Sequence, residues 1–456
     1  MSVTAGKILQ SMEPELYDWQ EEHVDKITFA LKKFNVALDA SDMGTGKTIM
    51  ALKAARRCGR IPVIVCPLAV VPVWKEWHRK FFPNREPVVF NYEKARRGVP
   101  SYLVRKGKNF GWTVNKDKAI IIFDEVHRCK GDKSLNSKLL GSAKRDKQTI
   151  LMLSATAFSS PLDMRASGYA LGLHGYRDHW VWCQRNGCKR GWFGGLEFNQ
   201  SPTILRRLND EIFGRGLKGS RIRISNLPEG AFPEGIVEAN SYKTDAERVD
   251  WYYSEMNAEL ARLSEREEND GDSPLVVQLR ARQEVELLKV PVFMDLAKDA
   301  LATGNSIVLF VNFKATLEAL NIRLAAHLGF QDEDEVFPIS LVHGGQTSDE
   351  RAEAVGKFQS NEHRICICMV QAGGVGLSLH DLKGTHPRVS FISPSFSAID
   401  LRQSLGRIHR AGGLSLARQY VLFAADSVEE DVCRAVRRKL DNLELLNDGD
   451  LMSPIL

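Results

Sequence analysis

No stretch of this chain stays apolar long enough to cross a bilayer; the longest candidate, Ile61 to Trp74, is broken by Pro62, Pro67 and Pro72. The first residues, Met1-Ser2-Val3-Thr4-Ala5-Gly6-Lys7, lack the charged-then-apolar pattern of a secretory leader. Together these absences set the expectation of a cytoplasmic protein with no membrane partner. Cysteine is sparse, eight residues scattered over 456, which argues against a disulfide framework and for reduced thiols. Cys66, Cys366 and Cys368 lie inside apolar runs and read as core. There is no long low-complexity tract and no short repeat. With 43% hydrophobic and 26% charged residues the composition is that of a globular chain long enough for two domains. Net charge is also scarce: +5 says little by itself about nucleic acid.

What is present begins with Asp42-Met43-Gly44-Thr45-Gly46-Lys47-Thr48, directly after the apolar run Val36-Ala37-Leu38. A strand, a glycine-containing loop and a helix start in that order form a phosphate cradle. The glycines Gly44 and Gly46, with Thr45, turn backbone N–H groups toward phosphate oxygens, Lys47 adds a positive charge, and the Thr48 hydroxyl can ligate Mg²⁺. The full pattern places glycine five positions before Gly46, where this chain has Ser41. The second element is Ile120-Ile121-Ile122-Phe123-Asp124-Glu125-Val126-His127, a buried strand ending in two carboxylates. ATP hydrolysis needs one carboxylate for the metal and one group to orient and deprotonate water. Asp124 is assigned to the metal and Glu125 to the water.

Charge is unevenly distributed. From Tyr92 to Lys118 eight basic residues, among them Arg96, Arg97, Lys106 and Lys108, face two acids; from Arg177 to Arg223 there are ten against four. These segments carry +12 and leave −7 for the rest, the footprint of a polyanion-binding face or, in the plainer reading, of a solvated surface. Tyr176 to Phe198 mixes Trp180, Trp182, Trp192, Phe193 and Phe198 with Arg185, Lys189 and Arg190. Such a mixture either stacks on bases or wedges a junction open, or else packs the underside of a lobe. Tyr102 to Trp112, with Gly107 and Gly111 inside, is a second hairpin-like segment. His174, His179, Cys183 and Cys188 offer four metal-type ligands at spacings unlike a common zinc module, so two half-buried thiols are the simpler reading.

Strand-like runs at Val36 to Leu38, Val63 to Cys66, Ala119 to Phe123 and Ile150 to Leu153 alternate with helical segments such as Thr48 to Arg57. The rhythm returns at Ile307 to Val311, Arg364 to Met369, Val389 to Ile392 and Gln419 to Phe423. It predicts two α/β lobes with doubly wound parallel sheets. The division is residues 1–227 for the first lobe with its insertion at 176–223, 228–274 for a connection with a helix, and 275–456 for the second lobe.

Read in order, the motifs resemble those of superfamily 2 helicases and translocases, most closely the Swi/Snf-type branch. Leu16-Tyr17-Asp18-Trp19-Gln20 sits where that family has its adenine-reading glutamine, Gln20. Val65-Cys66-Pro67-Leu68 with Trp74, the box Asp124-Glu125-Val126-His127-Arg128, and Leu153-Ser154-Ala155-Thr156 follow, with Ala157 in place of the usual Pro or Gly. Val308 to Phe313, and His343-Gly344-Gly345 with Arg351 and Phe358, continue the series. Gln371-Ala372-Gly373-Gly374-Val375-Gly376-Leu377-Ser378-Leu379, with Ser378 where Asn is common, and Gln403-Ser404-Leu405-Gly406-Arg407-Ile408-His409-Arg410 are its most specific members.

The resemblance implies two RecA-like lobes with an ATP cleft between them, and ATP and Mg²⁺ as cofactors. It implies Gln403 and Gly376 in nucleotide binding, and Arg407 and Arg410 stabilising the γ-phosphate charge. It also implies coupling through His127, Ser154 and Thr156, and DNA-backbone contacts from Gly373, Gly374 and Ser378. Trp192 and Phe193 are the residues expected at a junction wedge. The compact form is similar to annealing helicases and to phage enzymes that process forks and migrate branches. The expected activity is therefore an ATP-driven motor on duplex DNA that remodels forked or branched junctions as a monomer, in the host cytoplasm if phage-encoded. A single-strand-loading helicase, an RNA motor and a non-hydrolysing ATP-dependent clamp are the alternatives.

Overall fold

The computed structural model describes residues 14–131, 134–191, 195–198, 201–265, 274–330, 337–373, 377–394 and 397–448. Two compact units divide the chain, one running to Leu227 and joined by the end of the last helix from Asp441, the other running from Pro228 to Leu440.

The first unit is built on a sheet of six strands, all parallel, in the order Gly219–Ser220, Val36–Asp39, Ile150–Leu153, Ala119–Asp124, Ile61–Cys66 and Val88–Asn91. Its central strands are buried on both faces, as unbroken apolar runs require. Alternate residues serve opposite cores. Leu38, Val65, Ile121, Phe123 and Met152 face one cluster, while Ala37, Ile64, Ile120, Ile122 and Leu151 face the other. The end of the last helix joins the first cluster through Leu445 and Leu446, and Asn209 Nδ2 donates to Leu446 O at 3.0 Å.

The second unit repeats the plan, with strand order Gly235–Tyr242, Ala417–Ala424, Arg388–Ile392, Ser306–Val311, Ile365–Met369 and Ile339–Val342, again all parallel. The two-lobe, parallel-sheet α/β architecture expected from the sequence is thus the architecture observed. Segment 228–274, read from its prolines, glycines and acids as a connection, also supplies the edge strand Gly235–Tyr242 and the helix Ala246–Glu265. Both belong to the second unit.

Two antiparallel hairpins decorate the first unit. One pairs Leu103–Lys106 with Asn109–Trp112, and the other pairs Cys188–Arg190 with Leu196–Phe198. The first is anchored by its apolar residues: Leu103, Phe110 and Trp112 are buried, and Trp112 N donates to Asp146 Oδ2 at 2.8 Å. Among the described residues no helix is long and apolar enough to cross a membrane.

Candidate active site

The loop between Asp39 and Lys47 leaves the carboxyl end of a strand and enters the helix Lys47–Arg57, so the first free N–H groups of that helix point toward the loop. Gly44 and Gly46 have φ of 80° and 89°, values that glycine tolerates and side chains strain against. At Gly46 there is a second reason. A Cβ there would sit 2.6 Å from Gln20 Nε2. Gln20 lies in the first turn of the helix Asp18–Phe34; its amide nitrogen donates to Thr45 O at 2.8 Å, and its Oε1 accepts from Tyr17 N at 3.1 Å.

Lys47 folds over its own loop, its Nζ donating to Ser41 O (2.8 Å) and Asp42 O (2.9 Å). Burial pulls its ammonium below the usual lysine range, and the nearby acids Asp39, Glu125, Asp42 and Asp124 pull it back up. Thr48 is the second residue of the helix. The loop is braced from outside by the segment Ser220 to Ile224. Arg221 donates to Ala40 O (2.6 Å) and Asp42 Oδ1 (3.0 Å), and Ile224 N donates to Asp42 Oδ2 (3.0 Å).

Asp124 ends the strand Ala119–Asp124, two strands from the loop. Its Oδ2 accepts from Trp74 Nε1 at 2.8 Å, and its carbonyl accepts from Tyr92 OH at 2.8 Å. Burial first, and then the charge of Glu125, push its carboxyl up to about 6 from an ordinary 3.8, against the pull of Trp74 and Lys47. Lys47 and the Trp74 indole only partly offset that push. A stability consequence follows with a definite sign. Between 3.8 and about 6 the folded protein holds a proton the unfolded chain releases, so this group favours folding below that window. That contribution is lost as pH rises through 6, leaving a net cost at neutral pH. Asp124→Asn removes that cost but turns an amide N–H toward one of the two donors on the carboxylate, Trp74 Nε1 or Glu125 N, so the thermal midpoint of the nucleotide-free protein at pH 7 is expected to rise by only about 1–2 °C. The gain should shrink on acidification to pH 4, and a lowered midpoint at pH 7 would contradict it.

Glu125 has a left-handed backbone, φ 53° and ψ 54°, a strained conformation for a residue with a side chain. The turn places its carboxylate beside Ser154, which follows the neighbouring strand Ile150–Leu153. His127 Nδ1 lies 3.2 Å from Glu125 Oε2 and 3.0 Å from Ser154 Oγ, and Thr156 N donates to Ser154 Oγ at 3.2 Å. Thus the residues read as water-activating and coupling, Glu125, His127, Ser154 and Thr156, form one hydrogen-bonded cluster.

In the second unit the arginines donate to local carbonyls and to one hydroxyl. Arg407 is buried, its Nε donating to Gln403 O (2.8 Å) and its Nη1 to Leu377 O (3.3 Å). Arg410 donates to Gly406 O (3.0 Å) and Ser378 Oγ (2.8 Å), and the Gln403 side chain is buried. Gly373 ends the short helix Val370–Gly373. Gly374 and Gly376, like Trp192 and Phe193, lie outside the described residues.

The hairpin that carries Lys106 and Lys108 meets the helix Tyr92–Arg97 that carries Arg96 and Arg97. Arg105 Nη1 reaches from the hairpin to Arg96 O at 2.8 Å, and Arg97, Lys106 and Lys108 are exposed. Arg96 is half-buried and pairs with Glu93 at 3.1 Å. Cys183 and Cys188, read as half-buried, are fully buried. Cys183 Sγ lies 3.3 Å from His179 Nε2, and both side chains point at Pro161 O. Among the described residues no group of three or more ligand-type side chains is placed to hold a metal ion. Sequence reasoning did not find the bonds Trp74–Asp124 and Arg221–Asp42, nor the environment of His23. The available signal was Ser41, a departure from the phosphate-loop pattern that implies a partner for its hydroxyl.

Comparison with known proteins places this geometry. Residues 13–159 match the family described as type III restriction enzyme, res subunit, and residues 289–412 match the helicase conserved C-terminal domain. A protein named as an ATP-dependent RNA helicase in Acanthamoeba polyphaga mimivirus is 33% identical over 96% of this chain and 84% of its own length. A SWI/SNF-related matrix-associated actin-dependent regulator of chromatin, subfamily A-like protein 1, from Xenopus tropicalis is 24% identical over 91% of this chain and 43% of its own. The chain is a superfamily 2 helicase of the Swi/Snf type. Similarity at 24% identity extends to the DNA annealing helicase and endonuclease ZRANB3 of Bos taurus, covering 91% of this helicase and 39% of that protein. The helicase thus spans less than half of its two vertebrate relatives. As a member of this family it is an ATP-dependent enzyme.

Proposed function

We propose that this helicase is a motor that tracks on duplex DNA and remodels forked or branched junctions, working as a monomer in branch migration or fork processing. The observation that carries the reading is the exposed basic cluster of Arg97, Arg105, Lys106 and Lys108 beside Arg96. An exposed cationic surface suits phosphate contacts, which position a protein on nucleic acid without reading its sequence. The Bos taurus relative is named as a DNA annealing helicase, which supports a branched substrate. The mimivirus relative is named as an RNA helicase, and that name is what favours a second reading, an RNA motor.

In the first unit Lys47 and the loop Gly44-Thr45-Gly46 would hold the ATP phosphates and Gln20 the adenine; in the second unit Gln403 and Gly376 are assigned to nucleotide binding and Arg407 and Arg410 to the γ-phosphate charge. Thr48 and Asp124 would hold Mg²⁺, which when bound neutralises phosphate charge. Glu125, oriented by His127 and Ser154, would accept the proton of the attacking water. Thr156 would relay the state of that cluster to the residues that contact DNA, a role the same reading gives to Gly373, Gly374, Ser378, Trp192 and Phe193.

The test is ATP turnover measured with blunt duplex DNA, single-stranded DNA, a four-way DNA junction and duplex RNA. Stimulation by duplex and junction DNA is expected, together with strand exchange at the junction. Activation by single strands alone would remove the duplex-motor reading, and activation by RNA alone would transfer it to the second. DNA affinity should fall with salt along a log–log slope of about −4.5, the value for about five neutralised phosphates. Arg105→Ala with Lys106→Ala and Lys108→Ala should flatten that slope.

A further inference from the structure

Beneath the phosphate loop lies a buried polar network that the catalytic assignment does not use. His23, Asp39, Ser41 and Ser220 are 3%, 2%, 0% and 7% exposed. Both ring nitrogens of His23 are engaged: Nδ1 is 2.8 Å from Ser220 Oγ, while Nε2 is 3.1 Å from Asp39 Oδ1 and 3.2 Å from Ser41 Oγ. Asp39 Oδ1 also accepts from Ser41 N at 2.9 Å, and Ser41 Oγ accepts from Ile222 N at 3.1 Å. One imidazole thus ties together the first helix, the end of the first strand, the start of the loop and the edge strand.

We propose that His23 is a positioning residue for ATP: with Asp39 and Ser220 it pins Ser41, where the usual phosphate loop has glycine, and so holds the loop in its phosphate-binding shape. The proposal rests on the reading of this loop as the ATP site. Three observations support it. First, Ser41 O is one of the two carbonyls on which Lys47 Nζ rests, so whatever fixes Ser41 fixes the lysine. Second, Gln20 and His23 are three residues apart on one helix face, and they grip the loop at Thr45 and at Ser41 respectively. The helix therefore sets the loop's span. Third, burial alone would raise the Asp39 carboxyl, yet the charge and hydrogen bond of His23, helped by Lys47 and Ser41, hold it below its ordinary value. A buried carboxylate kept ionised in this way becomes costly as its partners are lost, which couples the members of the network to one another. It touches neither Asp124 nor Glu125 through a side chain and reaches Lys47 only through Ser41 O, one of that lysine's two carbonyl partners, so its loss should weaken nucleotide binding more than it slows the chemical step.

The experiment measures the Kd of a fluorescent ATP analogue, KM and kcat for ATP with saturating duplex DNA, and the melting midpoint. The proteins are wild type, His23→Ala, His23→Gln, Ser41→Gly, Ser220→Ala and the His23→Ala/Ser41→Gly double variant. His23→Ala should raise Kd and KM about ten-fold, the worth of one charge-assisted hydrogen bond, with a smaller proportional fall in kcat. Ser41→Gly and Ser220→Ala should move in the same direction by less. His23→Gln, whose amide keeps one donor and one acceptor, should recover most of the loss. The double variant should be no worse than His23→Ala, because one network is being broken. Unchanged Kd in folded variants, a fall in kcat at constant KM, or additive losses would each overturn the proposal. Should His23→Ala not fold, Ser41→Gly and Ser220→Ala decide the matter by the same criteria. A wild-type protein that binds no ATP analogue would instead overturn the reading of the loop itself, and the proposal with it.

Discussion

Lys47→Ala is expected to lower DNA-stimulated ATP turnover by at least about 10²–10³-fold, the scale of losing one preorganised charge at a phosphoryl-transfer centre. The loss has two parts. The ammonium itself no longer meets the terminal phosphates, and the acids around it lose their cation. Asp39, Glu125, Asp42 and Asp124 all act on Lys47, and Lys47 in turn is one of the influences that lower the Asp124 carboxyl. Removing it moves Asp124 further up from about 6, so at neutral pH a larger share of that carboxyl is protonated and Mg²⁺ binding weakens as well. Raising the pH should restore some Mg²⁺ affinity to the variant and no turnover, which separates the two parts. The fold should survive. Burial already pulls the lysine ammonium down, and its bonds go to Ser41 O and Asp42 O, which can turn to water when the side chain is truncated. Turnover within about ten-fold of wild type, in a protein with an unchanged melting midpoint, would sink the assignment of Lys47 to the phosphates.

The residues of this site that were legible in the sequence share one property: their neighbours in the chain state their environment. Asp124 follows four apolar residues and Lys47 follows a strand and two glycines, so strand end and helix start can be read from the local order. The central strands were legible for the same reason, since strands buried on both faces are unbroken apolar runs. Edge strands gave no such signal. Gly219–Ser220 is two residues long, and Gly235–Tyr242 has exposed or half-buried positions throughout; both were absorbed into a basic segment and a connection. The partners that tune the site were illegible because they come from far away along the chain. Trp74 reaches Asp124 across 50 residues, and Ser220 reaches His23 across 197. Trp74 was read as part of a motif, but its indole N–H has no addressee until the sheet is assembled. His23 looks like any polar residue in a charged helical turn. Only Ser41, out of pattern in the loop, hinted that something nearby needed a hydroxyl.

Glu125→Gln is expected to separate hydrolysis from binding. Turnover should fall by about 10²–10⁴-fold, the range for losing a positioned general base. ATP binding should persist, because the amide is isosteric and leaves Lys47, the loop and Asp124 in place. The left-handed backbone at Glu125 is as accessible to glutamine, and the amide oxygen can still accept from Ser154 Oγ and His127 Nδ1. The charge change has a further effect with a definite sign. After burial, the negative charge of Glu125 is the largest influence raising the Asp124 carboxyl to about 6. Without it that carboxyl moves back toward 3.8, and Mg²⁺-dependent binding of an ATP analogue should extend to lower pH than in wild type. The variant should therefore hold ATP and DNA together, binding duplex DNA in ATP as wild type does in a non-hydrolysable analogue. The measurements are turnover, analogue Kd between pH 5 and 8, and DNA affinity in ATP and in ADP. Wild-type turnover would remove Glu125 from the chemistry. Loss of analogue binding along with turnover would mean that Glu125 supports the site's structure, and that the proton acceptor must be sought among the groups it touches, His127 first.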